Sequence, residues 1–310
     1  MKPSKPRYRT TNWSAYNRSL QARGDVTIWF SPDLAWHSNE RPGQAGAPTR
    51  YRDQAIQIML TLKVLFQQGL RQVRGLTCSL VRMMNLAWSV PCYSTVSRRQ
   101  GKLAVQIPVR RRAEPLHLLV DSTGIKIHGE GEWKVKQHGP EYRRGWRKVH
   151  LAVNADTQEI QAVEVTDQRQ ADGPQVEELL SQLCPETVLA SVGGDGAYDT
   201  RRVYRVVQAW GAELLVPPRR DAQPWRDQTD WAAHRNDKLA AINRLGRAIW
   251  KRWSGYHRRS LVETTMHRFK RLGERLLARL PERQVAEIHV RCAILNRFVL
   301  LGMPTTVAHT

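Results

Sequence analysis

Three acidic residues occupy settings where a carboxylate is costly unless a cation meets it. Asp121 ends the apolar run HLLVD, and Asp195 follows a second one in SVGGDGAYD, where glycines let backbone and ligand come close. Glu263 lies in YHRRSLVETTMHRFKRLGE. As a helix, that segment sets Tyr256, Arg259, Glu263 and Lys270 on one face, with His267 beside them, and leaves Leu261, Met266 and Phe269 mostly off it to pack on a sheet. Three converging carboxylates repel one another but are tolerable around two Mg²⁺ ions, whose demand for oxygen ligands they meet; Mn²⁺ is the expected substitute. Two such ions, about 3.5–4 Å apart, clamp the attacking and leaving oxygens of an in-line phosphoryl displacement. Arg259 and Lys270 would hold the nearby phosphates. Taken singly, each acid also has an ordinary reading: a strand-end turn residue at Asp121, a loop cap at Asp195, a surface salt bridge at Glu263. Their order and spacing together favour a shared site.

The elements that must position these acids form an α/β order. Strands are predicted over 116–120, 146–154 and 160–165, then a helix over 175–183, a strand over 188–192, a helix over 200–210 and a strand over 213–216. Helices follow over 236–252, 256–279 and 282–302. Three strands that pair as a meander, with two more added in parallel by right-handed crossovers, give a mixed five-stranded sheet flanked by helices. This is the topology of a ribonuclease H-like domain, in which the strands ending at Asp121 and Asp195 are neighbours. The domain is expected over 113–303.

Residues 1–112 read as a separate helical and basic domain. A polar arm with Pro3 and Pro6 leads to a helix from Trp13, which Asn12 can cap. Ile56, Met59, Leu60, Val64 and Leu65 recur at helical spacing; a second helix runs through Leu70, Val73 and Leu76 with a break near Gly75, and a third over Ser79–Leu86. Ser94 can cap a helix whose first turns carry Thr95, Ser97, Arg98 and Arg99. Two readings fit: a helix-turn-helix that presents Arg98 and Arg99 to a major groove, or an ordinary small bundle with a basic exterior. Arg110, Arg111 and Arg112 lie in the linker that follows.

Charge points the same way. The chain holds 49 Lys+Arg against 28 Asp+Glu, a formal net charge of +21. A surface of this sign calls for a polyanionic partner, and nucleic acid is the usual one. Arg143, Arg144, Trp146, Arg147 and Lys148 form a basic cluster that either grips phosphates or is a solvated strand edge. Trp225, Trp231, Trp250 and Trp253 either belong to the core or offer a ring for an unpaired base. His128, His138 and His150 lack metal-ligand spacing. The four cysteines show neither zinc nor redox spacing and read as reduced thiols. Met1–Thr11 is no signal peptide, and the longest apolar stretch, Ile56–Phe66, contains Lys63 and is too short to span a bilayer. A cytoplasmic protein associated with the nucleoid is expected. No P-loop appears, so ATP is not expected.

With these residues in view, a family resemblance emerges. The segment Tyr256-x2-Arg259-x3-Glu263-x6-Lys270 matches the Tyr-Arg-Glu-Lys signature of bacterial insertion-sequence transposases of the "four" and "five" groups. LLVDSTGIKI, RRGWRKVHLAVN and GDGAYD resemble the first and second acidic blocks of the "five" group. The resemblance covers about 116–300 well and 10–100 more loosely. It implies a DDE-type enzyme in which Asp121, Asp195 and Glu263 hold the metal ions, and in which Tyr256, Arg259 and Lys270 contact DNA near the cleaved end. Such enzymes cut double-stranded DNA at the terminal inverted repeats of their element and join the 3′-hydroxyl to target DNA, as homo-oligomers. The short Asp195–Glu263 interval implies no large all-β insertion there. A nuclease or resolvase that cuts without joining would use the same acids, and a helix-turn-helix regulator with a decayed catalytic domain is a third reading.

Overall fold

The protein is described by a computed structural model covering residues 7–30, 34–38, 50–110, 113–128 and 145–309. In chain order the elements are β1 (Arg7–Thr10), α1 (Trp13–Gly24), α2 (Asp53–Leu65), α3 (Leu70–Met83) and α4 (Tyr93–Gln100). Next come β2 (Leu116–Ile127), β3 (Trp146–Asn154), β4 (Ile160–Asp167), α5 (Asp172–Ser181), β5 (Leu189–Gly193), α6 (Arg201–Ala209) and β6 (Glu213–Leu215). The chain ends with α7 (Asp230–Leu245), α8 (Arg247–Trp253), α9 (Ser260–Arg271), β7 (Arg275–Leu276), α10 (Pro281–Leu301) and β8 (Thr306–His309). Two compact units result: Met1–Pro108 with Ala293–Thr310, and Val109–Cys292.

The first unit is built on α2, in which Ile56, Met59, Leu60 and Leu62 are fully or almost fully buried. Trp36 stacks on Trp88 with ring centroids 4.9 Å apart. Its two chain ends meet, because β1 pairs antiparallel with β8. Asn12 does not cap α1. Its amide instead donates to the Met303 carbonyl at 3.0 Å and accepts from the Thr305 N–H at 2.8 Å, so its side chain joins the two termini. Nor does Gly75 interrupt the helix there: α3 is continuous through it and absorbs the separate helix expected from Ser79. Val73, Thr77 and Val81 bury one stripe of α3, and that packing outweighs the cost of about 1 kcal/mol for a helical glycine. α4 starts at Tyr93, one residue before its expected cap Ser94.

The second unit holds the expected sheet. Its strand order is β4-β3-β2-β5-β6, with β2–β3 and β3–β4 antiparallel and β2–β5 and β5–β6 parallel. Helices α5 and α6 cover one face through Val176, Leu179, Leu180, Val203 and Val207, which pack on Leu118, Val120, Ala152 and Val192. This is a ribonuclease H-like fold. It differs from expectation by a sixth strand: two-residue β7 lies parallel to the far end of β2, pairing Lys126 with Arg275. β2 is also longer than its apolar run predicts. Its antiparallel ladder with β3 continues from Leu118 to Lys126, whereas its ladder with β5 stops at Leu119. Between Leu119 and Lys126, therefore, no strand among the described residues lies along one edge of β2, and Asp121 sits in that stretch. The helix expected over 236–252 starts earlier and divides at Gly246, whose φ of +87° suits only glycine. The one expected over 256–279 is a 3₁₀ turn at Tyr256–Arg259 followed by α9.

Candidate active site

Asp121 and Asp195 come from neighbouring parallel strands. Leu119 pairs with Gly193, so each acid lies two residues beyond the last paired position. The Ser122 N–H donates to Asp121 Oδ1 at 2.8 Å, and the Ala197 N–H donates to Asp195 Oδ1 at 2.8 Å. Gly194 makes the turn at Asp195 possible: a Cβ there would stand 2.8 Å from the ring of Tyr198, a buried residue, and 3.3 Å from Val120. α9 brings the third acid. Its Val262, Thr265, Met266 and Phe269 are buried, and the opposite face carries Glu263 and Lys270, both exposed.

Arg259 joins the set. Its guanidinium lies 3.4 Å from Asp121 Oδ2 and 2.8 Å from Glu263 Oε1, so one cation stands between two of the acids. Burial raises the Asp121 carboxyl above the ordinary carboxylate range; the Ser122 N–H and Arg259 oppose that rise, while Asp195 and Glu263 add to it. Burial likewise raises the Tyr256 hydroxyl, which feels Arg259 and all three acids. Desolvation works against the charge of Arg259, but Tyr256 and the three acids outweigh it and hold the guanidinium more firmly protonated. Tyr198, below Gly194, is raised by burial first and then by Asp172, Asp121 and Asp195.

Arg259 thus links Asp121 to Glu263, and Asp195 follows the strand that pairs with that of Asp121. The donor atoms of the three acids are carboxylate oxygens, which suit a hard divalent cation. Among the described residues no three acidic, His or Cys side chains are grouped closely enough to hold a metal ion; the Arg259 guanidinium stands between Asp121 and Glu263.

The other predicted site residues lie elsewhere. Arg147 donates to Gln284 Oε1 at 2.8 Å. Lys148 is ion-paired to Asp172 at 2.8 Å. Arg143, Arg144 and His138 fall outside the described residues. Arg98 is exposed on α4, whereas Arg99 turns inward to Asp53 and the Tyr51 carbonyl. Of the four tryptophans, Trp250 is buried and Trp225 and Trp231 pack edge to face with ring centroids 5.6 Å apart, but Trp253 is 77% exposed. Asp172 and Ser122 were not singled out by the sequence. The available signal was an acid in the first turn of a helix and a Lys-x-His pair on one strand face.

A model described as "Transposase DDE domain" matches residues 112–297, and a second model of the same description matches residues 21–130. The chain belongs to the DDE transposase family. It is also similar to a piggyBac transposase seen by cryo-electron microscopy in a synaptic complex with hairpin DNA, at a TM-score of 0.38 and 10% identity over 96% of this chain and 77% of that one; a likeness so distant carries no argument. Among the described residues no helix is long and apolar enough to cross a membrane.

Proposed function

We propose that this transposase binds the terminal inverted repeats of a bacterial insertion sequence of the "five" group, hydrolyses DNA at the element ends and transfers the 3′-hydroxyl to target DNA. The observation that supports this reading best is the Arg259 guanidinium between Asp121 and Glu263, with Asp195 following the strand that pairs with that of Asp121. Asp121, Asp195 and Glu263 would hold two Mg²⁺ ions, with Mn²⁺ as a substitute. Those ions, when bound, supply an activated nucleophile and stabilise the departing oxygen.

The chain's own residues do the rest. Arg259, held by acids in the absence of DNA, is placed to turn to a backbone phosphate, which is a stronger partner for its planar fork. Lys270 lies two helical turns beyond Glu263, about 10 Å along the axis, and reaches a phosphate further from the cut. Tyr256 sets its hydroxyl beside Arg259 at the same end. Among the described residues, Arg98 on α4 is an exposed cation of the first unit that suits the repeats, and Trp253 is the tryptophan best exposed to stack on a base. Arg99, Arg147 and Lys148 serve DNA only if they leave their present protein partners. Cutting two ends calls for at least a dimer on DNA.

A nuclease without strand transfer is the alternative. Incubating the protein with a linear fragment carrying the element's ends, a target plasmid and Mg²⁺ separates the two. Joined product supports the transposase reading, whereas cleavage that never yields joined product supports the nuclease.

A further inference from the structure

Side chains alternate along a strand, so Ser122 points to the face of the sheet opposite Asp121. His150 lies across from Ser122 on β3, and Thr166 lies across from Lys148 on β4. These polar residues border the apolar face covered by α5 and α6. Asp172, in the first turn of α5, enters among them. Its Oδ1 is 2.8 Å from Lys148 Nζ and 3.4 Å from His150 Nδ1. Lys148 also donates to the Gln170 carbonyl at 3.1 Å, and His150 Nε2 is 2.9 Å from Thr166 Oγ1. The His150 ring has no exposure to solvent. Burial works to raise the Asp172 carboxyl, but the neighbouring His150, Lys148 and Ser122 overcome it and hold the group far below the ordinary range.

This cluster sits behind the stretch of β2 that has lost its neighbour β5 and not yet gained β7. A strand segment without ladder bonds on one edge needs another restraint if a side chain on it is to be held still. Ser122, whose cross-strand neighbour His150 stands 3.4 Å from Asp172, carries the N–H that holds Asp121 Oδ1 at 2.8 Å.

We propose that Asp172 is a positioning residue of the active site: with Lys148 and His150 it holds Ser122 from behind, and so fixes the backbone N–H that aims the Asp121 carboxylate. The proposal rests on the reading of Asp121 as a metal ligand. Groups that orient ligands from behind in this way commonly change metal affinity by about 10–100-fold when removed.

The test measures Mn²⁺ affinity of the full-length protein from the electron paramagnetic resonance signal of the free ion, with the Tm followed alongside. The double variant Asp172→Leu, Lys148→Met removes both charges, so that neither is left buried alone. Ser122→Ala removes only the hydroxyl and leaves no buried charge, so it reports even if the double variant fails to fold. Asp172→Asn keeps an acceptor oxygen for Ser122. Asp121→Ala is the control for the metal reading itself. The double variant should bind Mn²⁺ about 10-fold more weakly or worse, Ser122→Ala should weaken it several-fold at an unchanged Tm, and Asp172→Asn should recover most of the affinity. Wild-type Mn²⁺ affinity in Ser122→Ala and in the folded double variant, with Asp121→Ala unable to bind, overturns the positioning role and leaves the metal reading intact. Wild-type affinity in Asp121→Ala overturns both.

Discussion

At the scale of single residues, Asp121 and Asp172 are both partly buried, and their carboxyls shift in opposite directions. The Asp121 carboxyl is raised, chiefly by burial and further by Asp195 and Glu263. A raised acid contributes stability below its unfolded pKa and loses that contribution as pH rises through its folded value. Asp121→Asn should therefore have a higher Tm than wild type at pH 7, with the gain vanishing below about pH 4, while metal-dependent cleavage is lost. Circular dichroism melts across that range check it; equal Tm values at pH 7 would count against a strained carboxylate. Asp172 shifts the other way, because the neighbouring His150, Lys148 and Ser122 outweigh burial. Its contribution is present above the ordinary carboxylate pKa and lost as pH falls below about 4. Asp172→Asn should flatten the acid side of the urea-unfolding stability profile. The first three acids were legible in the sequence because each stands out against its flanks: two follow apolar runs, and one shares a helical stripe with cations. Asp172 was not. Its partners Lys148 and His150 lie on another element, and a polar run, DQRQAD, surrounds it.

Elements position what the residues do, and two of them are joined by a buried ion pair. Arg235 of α7 meets Asp199, just before α6, at 3.1 Å, and both side chains are almost fully buried. The Arg201 and Arg235 guanidiniums lie 5.1 and 4.5 Å from the centroid of the Trp225 ring. Removing one partner leaves an uncompensated buried charge, so Arg235→Leu should cost about 3–5 kcal/mol in urea unfolding. The double variant with Asp199→Leu should recover much of that loss; equal losses in single and double variants would argue against the pair. Gly194→Ala should cost about 1–3 kcal/mol, because the Tyr198 ring it strikes has little room to withdraw. Strand order was readable from apolar runs and their spacing, and so was the juxtaposition of Asp121 with Asp195. The extension of β2 past Asp121 was not, because Ser122–Lys126 is kept in the sheet by β3 rather than by its own composition. The division at Gly246 and the continuity through Gly75 show the same limit: a glycine signals permission to turn, and packing decides whether the chain does.

For the whole molecule, a formal charge of +21 should make duplex binding strongly dependent on salt. If about six phosphates are contacted, affinity should fall roughly 10³-fold between about 50 and 200 mM salt, as fluorescence anisotropy with a labelled duplex would read. A flat salt profile would contradict a phosphate-bound complex. The central claim is more local: Asp121, Asp195 and Glu263, distant in the chain, share metal ions. Iron(II) admitted to a magnesium site generates hydroxyl radicals that cut the nearby backbone. Treating the intact protein with iron(II), ascorbate and peroxide should cleave it beside Asp121, Asp195 and Glu263, with all three cuts suppressed by excess Mg²⁺. Cuts at one of these positions without the other two, or cuts that Mg²⁺ does not suppress, would contradict the shared site.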